Sequence, residues 1–164
     1  MTERNPVKSA AAPVGSTAPD FTLPDANGVT HRLYEIAGCK TLLVFFRGFW
    51  CETCQAQLAE MRAEQREVVD RGAKTIGVSA ETVERSREGL GPGESGFLVL
   101  CDPELAVISR YDVLHRPDDA GPGIARPAVF VLDSRRVVRF AHVGVDANDR
   151  PKLEALLLAL DSID

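Results

Sequence analysis

An α/β fold is what this sequence predicts, and three observations predict it. Apolar runs of strand length, at residues 41–46, 73–79, 97–100 and 128–132, alternate with charged stretches of helical spacing. Two cysteines, Cys51 and Cys54, stand in Phe49-Trp50-Cys51-Glu52-Thr53-Cys54, between the first such run and the first such stretch. The length of 164 residues, with 45% hydrophobic and 26% charged side chains, suits one domain with an adequate core.

Taken in order, residues 1–14 carry Arg4 and Lys8 but no apolar stretch. They read as a flexible tail rather than a secretory leader, ahead of a single domain over 15–164. Residues 18–24 form a short extended segment bounded by Pro19 and Pro24. A turn over 25–28 leads to residues 29–33, completing an N-terminal β-hairpin extension. Residues 41–46 are apolar throughout, the pattern of a strand buried on both faces. From 51 to about 71 a helix is expected: 55–69 holds no Gly or Pro, and Gly72 supplies the stop. Residues 73–79 give a second core strand and 81–88 a short polar helix. The Gly-rich loop 89–96 lacks the Lys-Ser or Lys-Thr of a phosphate-binding loop. A strand at 97–100 precedes Asp102-Pro103-Glu104, with Asp102 as N-cap of a helix to about Tyr111. Residues 115–126 read as loop. Strands at 128–132 and 137–143 follow, then a helix over 151–160 capped by Asp149, with Leu153, Leu156, Leu157 and Leu160 as its apolar stripe.

Cys51 and Cys54 carry the chemistry. Thiols three residues apart can close a disulfide with little backbone movement, so the pair reads as a redox-active dithiol. Cys51 falls at the strand-to-helix turn. A helix N-terminus carries partial positive charge and unpaired N–H groups, which favour a thiolate there. A structural zinc site would need four ligands, whereas Cys39 and Cys101 stand alone and His31, His115 and His142 lack ligand spacing. A structural staple would close a loop of only four residues and stabilise by about 2 kcal/mol. Cys39 and Cys101 read as packing cysteines, although the end of the strand could bring Cys101 in as a third thiol.

A net charge of −5 argues against nucleic acid, and no apolar run reaches the length of a membrane span. Four cysteines without a leader fit a reducing cytoplasm. No metal, flavin or nucleotide cofactor is implied.

The motifs resemble the thioredoxin superfamily, and within it the alkyl hydroperoxide reductase and thiol-specific antioxidant (AhpC/TSA, peroxiredoxin-like) redoxins. The likeness runs from about 15 to 160. It rests on the stretch Gly15-Ser16-Thr17-Ala18-Pro19-Asp20-Phe21, on Trp50-Cys51-Glu52-Thr53-Cys54, on Leu100-Cys101-Asp102-Pro103, and on Pro127-Ala128-Val129-Phe130. The resemblance implies a thioredoxin-like central mixed sheet flanked by helices. It also implies a cis Pro127 beside the dithiol, an attacking Cys51 and a resolving Cys54. From the residues themselves, Trp50 is either a core aromatic or a shield for the pair; Glu52, which disfavours a Cys51 thiolate, and Arg126, or Arg47 in its place, which favours one, are either tuning groups or solvated surface charges. Two departures stand out. Peroxiredoxins of this family carry Thr or Ser three residues before the attacking Cys and Pro seven before it; here those positions hold Gly48 and Val44. Thioredoxin has a buried Asp six residues before its first Cys; here it is Phe45.

Three functions remain open. The first is a thiol–disulfide oxidoreductase acting on a disulfide-containing protein, recycled by a cellular dithiol reductant. The second is a peroxiredoxin-like peroxidase, with Cys51 attacking a hydroperoxide and Cys54 resolving. The third is a redox sensor that switches a partner surface. Gly48 favours the first over the second.

Overall fold

The computed structural model describes residues 12–90, 97–116 and 121–163. An antiparallel arm opens it, β1 (Thr22–Pro24) pairing with β2 (Thr30–Arg32). Asp25 builds the turn between them: its Oδ1 accepts the amides of Asn27 and Val29, at 2.8 and 3.0 Å. A single helical turn, α1 (Leu33–Ile36), follows.

The core is a five-stranded sheet of β3 (Lys40–Phe45), β4 (Ala73–Ser79), β5 (Leu98–Cys101), β8 (Ala128–Leu132) and β9 (Val138–Val143). The spatial order is β5-β4-β3-β8-β9. β3, β4 and β5 run parallel, and β8 and β9 pair antiparallel beside β3. The sheet is therefore mixed, as expected. The parallel pairs need crossovers, supplied by α2 (Glu52–Ala63) with α3 (Gln65–Asp70), and by α4 (Val83–Leu90). β3 lies mid-sheet, which explains its unbroken apolar run. Leu43 and Phe45 enter the cluster on one face, with Ile76, Phe130, Tyr111 and residues of α5 (Ala106–Arg110). Leu42 and Val44 enter the other, with Met61, Val129 and the Leu153, Leu156 and Leu160 stripe of α6 (Leu153–Asp161). Each fully buried Leu or Phe stabilises by about 1.5–3 kcal/mol relative to exposure.

Several expectations are corrected. The helix expected over 51–71 is two helices, broken at Glu64. No Gly or Pro marks the break. Gln65 Nε2 instead reaches back to Met61 O and across to Thr75 Oγ1 of β4, so tertiary contact bends the chain there. Asp102 does not sit at N-cap. A turn closed by Leu105 N–H to Asp102 O at 3.0 Å intervenes, and Leu105 starts α5 with φ 64°. The Asp102 carboxylate still serves the helix end, accepting the Ile108 amide at 2.8 Å. Asp149 does not cap α6; it folds back onto the preceding loop. Part of the expected loop 115–126 is a strand pair, β6 (Leu114–His115) with β7 (Ile124–Ala125). Residues 117–120 of that loop, 91–96 of the Gly-rich stretch and 1–11 of the tail lie outside the described residues. Ala12 is buried against the core.

Pro127 is trans, as is every peptide bond among the described residues. The chain runs extended from β7 into β8. Arg126 N–H donates to Val113 O and Pro127 O accepts Gly144 N–H, both at 2.7 Å, which fixes this path from both sides. Trans is also the lower-energy state of an X–Pro bond by about 0.5–1 kcal/mol.

Candidate active site

β3 delivers the chain to the site. Beyond Phe45, the Phe46 amide still bonds Val78 O at 3.0 Å, and the chain then leaves the sheet. It turns through Gly48, closes with Cys51 N–H to Gly48 O at 3.3 Å, and enters α2 with Cys51 as N-cap. This is the strand-to-helix placement that the sequence predicts.

The sulfurs differ in setting. Cys51 is 5% exposed and Cys54 fully buried, packed with Phe46, Leu58 and Val99. Both are free thiols. Cys51 Sγ accepts the Cys54 amide at 3.4 Å and lies 3.2 Å from Thr53 Oγ1. Burial by itself would raise the Cys51 pKa. Hydrogen bonds from the Cys54 thiol, the Thr53 hydroxyl and the Cys54 amide, with the charge of Arg150, outweigh burial and hold the thiol below its usual value. Cys54 goes the other way: burial, then its hydrogen bond to Cys51, push it up. Of the two thiols, Cys51 is therefore the one that ionises first.

Arg150 is the residue that sequence reasoning missed. Its Nη2 lies 3.1 Å from Cys54 Sγ, 3.3 Å from Thr53 Oγ1 and 4.0 Å from Cys51 Sγ. Its other nitrogens are tethered to Gln57 Oε1 and, at 2.7 Å, to Ala147 O. The loop after β9 holds it in place. Asp149 Oδ2 accepts the Val145 amide at 2.9 Å, and Oδ1 takes His142 Nε2 at 2.8 Å. Arg150 is nearly a hundred residues from the dithiol and sits between Asp149 and Pro151, where the local pattern reads only as a helix start. Its one sequence signal was the lack of any other assigned role.

The remaining expected residues divide. Trp50 is 54% exposed, so it flanks the dithiol rather than sealing it, and the Arg47 guanidinium stacks 5.0 Å from its ring centroid. Glu52 is exposed in the first turn of α2, where a carboxylate suits the helix dipole. The Arg47 amide, not its side chain, reaches the dithiol, donating to Cys54 Sγ at 3.3 Å. The guanidinium beside the sulfurs is that of Arg150; Arg126 instead lines a neighbouring cavity of about 260 Å³ with Arg47, His115 and Pro127. Burial, then the charges of Arg126 and Arg47, hold His115 below its usual pKa, which favours its neutral form. Cys101 is buried and donates to Ser86 Oγ at 3.2 Å, a packing role; burial raises its pKa.

Gly48 explains the absent hydroxyl. Its φ is 156°, and a Cβ there would land on Trp50 Nε1 and Glu81 Oε1. The place where the peroxiredoxin pattern sets a Thr or Ser side chain is already filled. Gly48→Thr is accordingly expected to destabilise the fold by about 1–3 kcal/mol, read from urea unfolding, and to bring no gain in peroxide reactivity.

No group of three or more metal-ligating side chains is found among the described residues. No described helix is long and apolar enough to cross a membrane.

Comparison with known proteins meets the same geometry. The AhpC/TSA family matches residues 14–141. Thiol-disulfide oxidoreductase ResA of Geobacillus thermodenitrificans is 31% identical over 136 residues, covering 80% of this chain and 70% of the relative. Alkyl hydroperoxide reductase E of Mycobacterium tuberculosis is 33% identical over 135 residues, covering 79% and 84%. Among solved structures, the peroxidoxin BcpB of Mycobacterium tuberculosis superposes with a TM-score of 0.81 at 22% identity, over 92% of this chain and 97% of its own. A mixed sheet whose central strand ends at a helix-capping cysteine, matched over most of its length by this one family, makes the chain a member of the AhpC/TSA redoxins with a thioredoxin-like fold.

Proposed function

We propose that the protein is a thiol–disulfide oxidoreductase in which Cys51 attacks and Cys54 resolves. One observation carries this: Cys51 caps α2 with the Cys54 amide and the Thr53 hydroxyl on its sulfur, while Cys54 is fully buried, so the Cys51 thiol is lowered and the Cys54 thiol raised. The thiolate is the nucleophile, and the protonated partner is kept from competing with it. The Cys51 thiolate attacks one sulfur of the substrate disulfide and expels the other as a thiolate. A mixed disulfide on Cys51 results. Cys54 loses its proton and attacks Cys51 Sγ, which breaks the mixed bond, releases the second substrate thiolate and closes Cys51–Cys54. Two electrons pass from the dithiol to the substrate. A dithiol reductant of the cell restores the pair, so a reducing compartment such as the cytoplasm suits the cycle.

Peroxidase chemistry is the second reading, and Arg150 favours it. Its guanidinium offers N–H donors beside the sulfurs, where a peroxide oxygen would need them. Against it stands Gly48, which places no hydroxyl over Cys51.

One preparation of reduced protein, assayed for insulin disulfide reduction and for hydrogen peroxide loss, separates the two. Insulin reduction with slow peroxide consumption is expected. A missing preorganised donor costs about 3 kcal/mol, roughly a hundredfold in rate. Peroxide oxidation near the diffusion limit, with no insulin reduction, would reverse the assignment.

A further inference from the structure

We infer that the cavity beside the dithiol binds a carboxylate of the substrate, so that the disulfides turned over are acidic ones. The inference rests on the oxidoreductase reading and names its substrate class.

The cavity of about 260 Å³ has Arg47 and Arg126 in its wall, with His115 between them in chain order. Among the described residues, neither guanidinium makes an ion pair. Unpaired arginines are ordinary on an open surface, but two of them facing one cavity is an arrangement for an anion. Among the described residues, Asp146 is the one acid in the lining; it is exposed, and its Oδ1 already accepts the Asn148 amide at 2.9 Å. The described lining therefore carries a net positive charge. In its neutral form His115 adds a hydrogen-bonding ring nitrogen rather than a third charge.

The cavity adjoins the chemistry through Arg47. The amide of that residue donates to Cys54 Sγ at 3.3 Å, while the residue also lines the cavity and its guanidinium covers Trp50. Gly144, also in the lining, begins the loop that ends with Arg150 on the sulfurs. A disulfide whose sulfur lies at Cys51 can thus reach the cavity with a short acid-bearing arm. The volume is below the roughly 300–1,000 Å³ of sites that hold whole drug-sized ligands, which fits one arm rather than an entire molecule. Planar guanidiniums take a carboxylate by paired N–H donors.

Two disulfides of similar reach test this on the reduced, full-length protein: 3,3′-dithiodipropionate, a dianion, and 2-hydroxyethyl disulfide, which is neutral. The readout is the single-turnover rate of each, expressed as a ratio. Wild type is expected to favour the dianion by about tenfold, and Arg126→Glu to reverse the preference. A ratio near one in wild type, or an Arg126→Glu variant that slows both probes by the same factor, overturns the inference. Binding gives a second, redox-independent reading. Trp50 is the sole tryptophan and lies under Arg47, so titration with suberate, which has no disulfide, is expected to change its fluorescence saturably, and Arg126→Glu to abolish the change. Suberate binding without reduction of either disulfide would uphold the site and sink the oxidoreductase reading. Reduction of both without charge preference, and no suberate effect, would do the reverse.

Discussion

Cys51→Ser is expected to abolish turnover with any disulfide or peroxide, while Cys54→Ser still reacts once and then stops. The difference follows from the two environments. Cys51 caps α2 and takes the Cys54 amide and the Thr53 hydroxyl, the surroundings that favour a thiolate. A serine hydroxyl at this site stays protonated at neutral pH and gives no nucleophile, so a loss to background is expected. Cys54 is fully buried and reaches substrate only through Cys51. Without it the first attack proceeds and the mixed disulfide, or the sulfenic acid after peroxide, persists. Mass spectrometry of each variant after challenge reads this directly: an adduct on Cys51 in Cys54→Ser and none on Cys54 in Cys51→Ser. If Cys54→Ser cycles like wild type, or if the adduct sits on Cys54, the assignment of roles fails.

Arg150→Met should slow disulfide attack at neutral pH by about 10- to 100-fold, the worth of a charge-assisted hydrogen bond of roughly 1.5–3 kcal/mol. Only the thiolate reacts, and a lowered pKa keeps it populated as pH falls. Taking away the guanidinium removes one stabiliser of the anion and leaves the hydrogen bonds of Cys54 and Thr53 alone to oppose burial, which favours the thiol. The midpoint of the rate-versus-pH curve therefore moves to higher pH, and the gap between variant and wild type narrows where both are ionised. Arg150→Lys restores charge without the planar fork, so it should recover much of the midpoint but less of the rate. An unchanged midpoint in Arg150→Met would make the residue a packing element. A lower rate at every pH would then have to come from disorder in the 144–150 loop.

What could be read in advance was what local pattern controls. The both-face burial of β3 left an unbroken apolar run, the α6 stripe left helical spacing, and Cys51 fell where strand gives way to helix. The site was half legible for the same reason. Its thiols lie on one short segment, and their spacing is their function. Arg150 could not be read because its position depends on a loop held by Asp149, Val145 and Ala147, and on a path that returns it across the sheet end. Arg126 was a fair candidate by proximity to β8, but side-chain direction across a loop is not encoded in spacing. The break at Glu64 and the offset of Asp102 from its helix were hidden likewise: both are settled by tertiary hydrogen bonds, with no change in composition to mark them.

The N-terminal segment does more than lead into the fold. Gly15 and Ser16 bond Val138 at one end of β9, with Thr17 bridging Val137, and Asp25 bridges Leu100 on the outer side of β5. A single stretch thus ties down both margins of the sheet while its Ala18, Phe21 and Leu23 cover one face. Unpaired strand margins are templates for another chain, and this protein leaves less of them open than its strand order alone would suggest. A shortened form beginning after Asp25 would retain the whole dithiol apparatus, with Arg150, and still be a poor protein: its chemistry would be intact on a sheet open to self-association at both sides.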